Sequence, residues 1–166
     1  MRLYVAGSSS SGNCYLLYDE REILILECGV PFKNINGLPF FDLEKVVGCV
    51  ISHEHGDHAG RINEFLDYGV DCLASSGTIS SLSFTSKRLP LMIEEGVTVM
   101  AGAFSIVPFK IAHDANEPLG FLIDHPDTGP ILFATDTYML YYRFPNLRHV
   151  MIECNYDRSI LDRNVA

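Results

Sequence analysis

Short apolar runs separated by turn residues dominate the chain. Leu3 to Val5, Cys14 to Tyr18 and Glu22 to Leu26 are rich in strand-forming residues, and Asp19-Glu20-Arg21 joins the last two as a hairpin. Gly29, Pro31, Gly37 and Pro39 then break any regular pattern and predict a loop. Val46 to Ile51 is a nearly unbroken β-branched run, as expected of a strand covered on both faces. The period changes after it. Ile62, Phe65 and Leu66 stand at helical spacing, with Gly69 as a natural stop. Asp71 to Ala74 predicts a further strand, and the serine-rich Ser75 to Ser86 a helix. Strands follow over Val97 to Met100, Ser105 to Ile111, Gly120 to Ile123, Ile131 to Ala134 and Val150 to Glu153, with a turn at Asp127-Thr128-Gly129-Pro130. No repeat or linker-like shift interrupts the series, so one domain over residues 1–166 is expected.

Composition narrows the class. With 48% hydrophobic and 20% charged residues the chain is not disordered by composition, and its 13 Gly and 8 Pro follow no collagen-like period. Twelve Lys and Arg against 21 Asp and Glu leave a formal charge of −9. That balance argues against an extended basic footprint for nucleic acid, but not against a small site where metal ions supply the positive charge. The longest candidate for a membrane span, Val97 to Phe109, is broken by Gly102, Ser105 and Pro108, so no membrane partner is expected. Ser8 to Ser11 stand where a secretory apolar core would lie, which makes the cytoplasm the expected location. Cys14, Cys28, Cys49, Cys72 and Cys154 are odd in number and form no C-x-x-C pair, and are read as reduced, small hydrophobes.

The chemistry concentrates in Ser52-His53-Glu54-His55-Gly56-Asp57-His58, between a predicted buried strand and a helix. His53 and His55, two apart in extended backbone, project to one side and can hold one metal ion. Gly56 lets the chain turn, and Asp57 and His58 then address a second position. Imidazole with carboxylate suits zinc, manganese or iron rather than calcium. At this composition H-x-H-x-D-H would arise by chance in roughly one of two thousand such chains. Further ligands are available at strand ends: His113 follows Ser105 to Ile111, and Asp136 follows Ile131 to Ala134. Either alone would be an ordinary loop residue; beside the first cluster each becomes a ligand candidate.

H-x-H-x-D-H after an apolar strand, then a lone His, then Thr135-Asp136-Thr137 after another strand, resembles the metallo-β-lactamase superfamily. Gly7-Ser8-Ser9-Ser10-Ser11-Gly12-Asn13-Cys14, His113-Asp114 with Glu117-Pro118-Leu119-Gly120-Phe121, and Glu153-Cys154-Asn155-Tyr156-Asp157 resemble its ribonuclease Z-like and exonuclease-like branch. The resemblance covers essentially the whole chain. It implies an α/β fold, an αββα sandwich with a dinuclear metal site along one sheet edge. Carried over, His53, His55 and His113 hold the first metal, Asp57 and His58 the second, and Asp136 bridges them. Two cations sharing a carboxylate can lower the pKa of a bridging water and polarise a phosphoryl or carbonyl oxygen. Asp57 is the catalytic residue of this scheme, orienting that water or managing its proton.

The chain departs from the family pattern in several places. Glu27-Cys28-Gly29 replaces the usual D-x-G, with Glu27 expected to support the metal-binding loop. Tyr138 stands where a Gly usually follows T-D-T, and Tyr156 where a His is common. The late His ligand of the second metal has no match after Asp136: His149 lacks the flanking pattern and is read as structural, and His125 as a surface turn residue whose replacement by Ala should do little. The expectation is therefore a sandwich lacking the C-terminal part of the family fold.

The function implied is hydrolysis of phosphodiester bonds, in nucleic acid foremost, with two divalent metal ions, zinc foremost. Ser10, Ser11 and Asn13 could offer donors to a phosphate. A thioester or other acyl hydrolase is the alternative within the same chemistry. A metal-binding but inactive or partner-completed domain is the alternative outside it, with uncovered apolar surface favouring a homo-oligomer.

Overall fold

A computed structural model describes residues 1–153, and the segment Cys154-Asn155-Tyr156-Asp157 lies outside the described residues. Two mixed sheets face each other. The first contains β1 (Arg2–Gly7), β2 (Cys14–Tyr18), β3 (Ile23–Leu26), β4 (Val46–Val50), β5 (Cys72–Ala74) and β6 (Leu91–Met92), in that spatial order. The second contains β7 (Val99–Ala101), β8 (Phe104–Lys110), β9 (Leu119–Asp124), β10 (Ile131–Ala134) and β11 (His149–Ile152), in the order β11-β10-β9-β8-β7. β1, β2 and β3 run antiparallel through the expected hairpin, whereas β3, β4, β5 and β6 pair in parallel.

Alternation along the central strands builds two cores from one sheet. Leu24 and Leu26 of β3, Val50 of β4 and Leu73 of β5 point between the sheets, against Phe104, Ile106, Phe121, Ile123 and Phe133. Ile23, Ile25, Cys49, Ile51 and Cys72 point to the other face, where they meet Phe32, Ile35, Ile62, Phe65 and Leu66. The four described cysteines Cys14, Cys28, Cys49 and Cys72 are free and buried, and burial pushes the Cys28 thiol up to about 11. They act as small hydrophobes.

The helices covering that outer face are short: α1 (Lys33–Asn36), α2 (Gly56–Ala59), α3 (Ile62–Asp67) and α4 (Ser76–Ser81). The segment read as plain loop thus contains α1, because Phe32 and Ile35 are drawn into the core beneath it. The expected serine-rich helix shortens to six residues, capped by the Ser75 hydroxyl on the Thr78 N–H and ending where Leu82 turns extended. Ser competes with helical hydrogen bonds through its own hydroxyl. On the outer face of the second sheet, Phe109, Ile111, Leu132 and Ala134 pack against Leu122, Leu140, Phe144 and Leu147. Among the described residues that face is covered by coil rather than helix. No helix among them is long and apolar enough to cross a membrane.

Two ends of the sandwich differ. The segments that follow β3, β4, β8 and β10 converge on one edge with Glu27, His53, His113 and Asp136. At the other, Glu22 precedes β3 and His125 follows β9. His125 is not a surface residue: it is 1% exposed, its Nε2 lies 2.9 Å from Glu22 Oε1, and its ring packs on Phe104. Glu22 also accepts the Ala103 N–H, so one carboxylate ties three turns together. His149 opens β11 as an exposed residue opposite Ile131, at the end of β10 remote from Asp136.

Candidate metal centre

β4 leads into Ser52 and His53, both fully buried, and the Ser52 hydroxyl lies 2.8 Å from His53 Nδ1. That contact turns Nε2 toward the edge, where it lies 3.1 Å from Nδ1 of His55. His113 arrives from the other sheet and brings its Nε2 to 3.1 Å from the same His55 nitrogen. Asp136 completes the group, its Oδ2 3.5 Å from His53 Nε2 and 3.8 Å from His113 Nε2. The four residues form one cluster with metal-ligand spacing, and Asp57, His58 and Asp136 form another. In the second, Asp136 Oδ2 lies 3.0 Å and Asp57 Oδ2 3.4 Å from His58 Nε2. Asp136 belongs to both groups.

The donor set fits a divalent ion. Ligands 2.0–2.1 Å from a tetrahedral zinc are separated by about 3.3 Å, close to the spacing of these imidazole nitrogens. Burial, then the neighbouring His58, His113 and His55, pushes His53 down to about 3, leaving it neutral with a lone pair available. Burial would also lower His58, but Glu27, Asp136 and Asp57 outweigh it and raise the ring to about 9. Burial would raise Asp136; the hydrogen bond with Glu153 and the three histidines His58, His53 and His113 instead hold it below the usual carboxylate range.

Backbone geometry places the carboxylates. Glu27 and Asp136 are non-glycine residues in the left-handed region, with φ of 65° and 47°. Such backbone is uncommon outside glycine and is maintained only by its surroundings. Glu27 is fully buried, its Oε2 accepting the Ser52 N–H at 3.2 Å while Oε1 lies 3.4 Å from His58 Nδ1. Around it the chain threads beneath α2: the Cys28 N–H donates to the His58 carbonyl and the Asn13 N–H to the Asp57 carbonyl. Gly29 lies directly under that turn, where a Cβ would come within 1.8 Å of the Asp57 carbonyl oxygen. Only glycine lets the two backbones approach so closely.

The serine-rich opening divides. Ser10 lines a groove of about 680 Å³ that also borders Asp57 and Asp136. Ser11 is exposed and its N–H turns back to the Ser9 hydroxyl. Asn13 is buried, its side-chain amide 3.2 Å from Asp57 Oδ2 and 3.2 Å from His58 Nε2. Two further contacts escape sequence reasoning. Glu153 Oε2 accepts the Asp136 N–H at 3.1 Å, and Glu54 accepts the Asn116 N–H at 2.8 Å, anchoring the loop that carries His113. Glu54 sits inside the motif itself, and its carboxylate was the available signal.

Residues 9–137 match the profile of the Metallo-beta-lactamase superfamily. The chain is 28% identical over 173 aligned positions to Exodeoxyribonuclease WalJ of Streptococcus pneumoniae serotype 2, covering 95% of this chain and 63% of that protein. Among solved structures it is similar to MEM-A1, a subclass B3 metallo-beta-lactamase from a soil metagenome library, with a TM-score of 0.65, 19% identity, and 80% and 60% of the two chains covered. It is similar also to the metallo-beta-lactamase fold protein YhfI from Bacillus subtilis, with a TM-score of 0.63, 16% identity, and 81% and 61% covered. The chain thus spans a little over 60% of the curated relative's length. With the profile matching over most of its length and the sandwich fold shared, this chain belongs to the metallo-beta-lactamase superfamily.

Proposed function

We propose that this chain hydrolyses phosphodiester bonds, in nucleic acid foremost, with two divalent metal ions, zinc before manganese or iron. The observation that carries this reading is the pair of donor groups joined through Asp136. His53, His55 and His113 would hold one ion, Asp57 and His58 the other, with Asp136 between them. Divalent cations bound there would supply Lewis acidity for a phosphoryl oxygen and would lower the pKa of the attacking water. The chain's own residues do the rest. Glu27 fixes the His58 ring, and the Asn13 amide holds the Asp57 carboxylate toward the groove. Asp57, partly open to solvent, is placed to orient a nucleophilic water and take up its proton. Ser8, Ser9 and Ser10 line the approach with hydroxyls that suit phosphate oxygens. The similarity to a protein named exodeoxyribonuclease favours nucleic acid among the phosphodiesters.

A second reading has its own observation. Leu3, Val5, Phe133, Met151 and Ile152 form an apolar wall of the same groove, which suits the chain of a thioester or other acyl substrate. Two measurements decide. Elemental mass spectrometry of the dialysed chain should find close to two transition metals, and a phosphodiester and a thioester assayed side by side should separate the readings. Asp57→Ala should lower turnover by at least ~10²-fold while the fold persists; unchanged turnover would overturn the assignment.

A further inference from the structure

Tyr138, two residues beyond Asp136, is the most exposed large hydrophobic side chain among the described residues, at 76%. Its position is nevertheless fixed. The Tyr138 N–H donates to the Ala112 carbonyl at 2.8 Å, and the Thr137 hydroxyl accepts the Ala112 N–H at 3.2 Å while donating to the Met139 carbonyl at 2.7 Å. Ile111 and Leu140 form a bridge on the far side. The phenol reaches the Asp114 carboxylate at 3.4 Å, and the ring centroid stands 6.1 Å from that of His113. The backbone beneath the ring is thus anchored, and the ring itself faces outward beside a candidate metal ligand.

Two hollows meet at this ring. A niche of about 220 Å³ is lined by His113, Asp136, Thr137, Tyr138 and Glu153. A groove of about 570 Å³ continues past His113, Tyr138 and Tyr141, and its charged lining is Glu95, Lys110, Asp114 and Glu117. Three carboxylates against one amine repel a phosphate chain but not a neutral heterocycle. A planar base gains by stacking on an aromatic face whatever its sequence.

We infer that Tyr138 is a stacking platform for the unpaired base of the nucleotide adjoining the scissile phosphate, so that the substrate is a single-stranded nucleic acid. This rests on the phosphodiesterase reading above. The phosphate occupies the metal edge and the base turns away from it onto the Tyr138 ring. A base held in a duplex stack cannot do so, which makes single strands or frayed ends better substrates than blunt duplexes. On an acidic surface, stacking also supplies affinity that a basic stripe would otherwise provide.

The test is a cycle between the ring and the base. The metal-loaded chain, Tyr138→Ala and Tyr138→Phe are assayed on a single-stranded oligonucleotide and on the same strand with an abasic nucleotide at the cleaved linkage. Removing the base should cost the wild-type chain about tenfold or more in kcat/KM, expressed mainly in KM. Tyr138→Ala should abolish that preference and Tyr138→Phe should keep it, with metal content equal in all three. Equal hydrolysis of both strands by the wild type, or a preference surviving in Tyr138→Ala, would overturn the platform while leaving the phosphodiesterase reading intact. If neither strand is hydrolysed, the phosphodiesterase reading falls, and fluorescence anisotropy on the same labelled strands judges the platform. Tighter binding of the base-bearing strand, lost in Tyr138→Ala, would uphold it; equal binding would sink it.

Discussion

Oε1 of Glu27 lies 3.4 Å from Nδ1 of His58, with both side chains withdrawn from solvent. This ion-pair approach favours a proton on Nδ1 and leaves Nε2 facing Asp57, Asp136 and the Asn13 amide, at the edge where a cation would bind. Glu27, where the family pattern has Asp, thus contacts both the Ser52 N–H and His58 from left-handed backbone.

Glu27→Gln should disable that arrangement with little change in volume. The Gln oxygen is required by the Ser52 N–H, so its NH₂ faces His58 Nδ1 and forces the proton onto Nε2. Metal affinity of the Asp57–His58 group should fall about 10- to 100-fold, measured by competition with a chromophoric chelator. The His53–His55–His113 group should be much less affected.

The metal-free chain should be most stable near pH 6.5. His53 is depressed to about 3, so the unfolded chain binds more protons than the folded one as pH falls below the ordinary histidine value, and stability drops. His58 is raised to about 9, so its contribution is complete below that ordinary value and disappears as pH rises through 9. Thermal melts in a chelator between pH 4 and 9 should show this maximum. With metal bound, the alkaline decline should vanish, because a cation replaces the His58 proton.

Gly29→Ala should damage the second group before the first. Its Cβ would strike the Asp57 carbonyl oxygen at 1.8 Å and come within 2.7 Å of the Asn13 nitrogen. Both are backbone atoms, so relief requires moving the turn that carries Asp57 and His58. A loss of about 3 kcal/mol in stability is expected, together with metal content nearer one equivalent than two.

His125→Ala, harmless on the sequence reading, should instead destabilise the fold. It leaves Glu22 Oε1 without its partner in a largely buried position and removes the ring packed on Phe104. About 2–3 kcal/mol is expected in denaturant unfolding. Metal content should be unchanged, since the pair lies at the opposite end of the sandwich from His53.

What the sequence determined by itself was local. Branched apolar runs specified the strands, and the doubly covered β3 and β4 carried apolar residues on both faces. His53, His55, Asp57 and His58 were legible because they stand within six positions, where strand geometry and a Gly turn dictate direction. His113 and Asp136 were legible as strand ends once that cluster was in view. Tertiary structure decided whatever depends on distant partners. Glu22 and His125 are 103 residues apart, and nothing around His125 in a turn-forming segment announces burial. Glu27 reaches Ser52 and His58, and Glu153 reaches Asp136, only after β3, β4, β10 and β11 have aligned. The helix at Lys33–Asn36 likewise owes its existence to Phe32 and Ile35 finding the core rather than to local propensity. Backbone sterics and side-chain period act between neighbours and are written in order along the chain. Burial and charge pairing act between surfaces that meet only when the two sheets close.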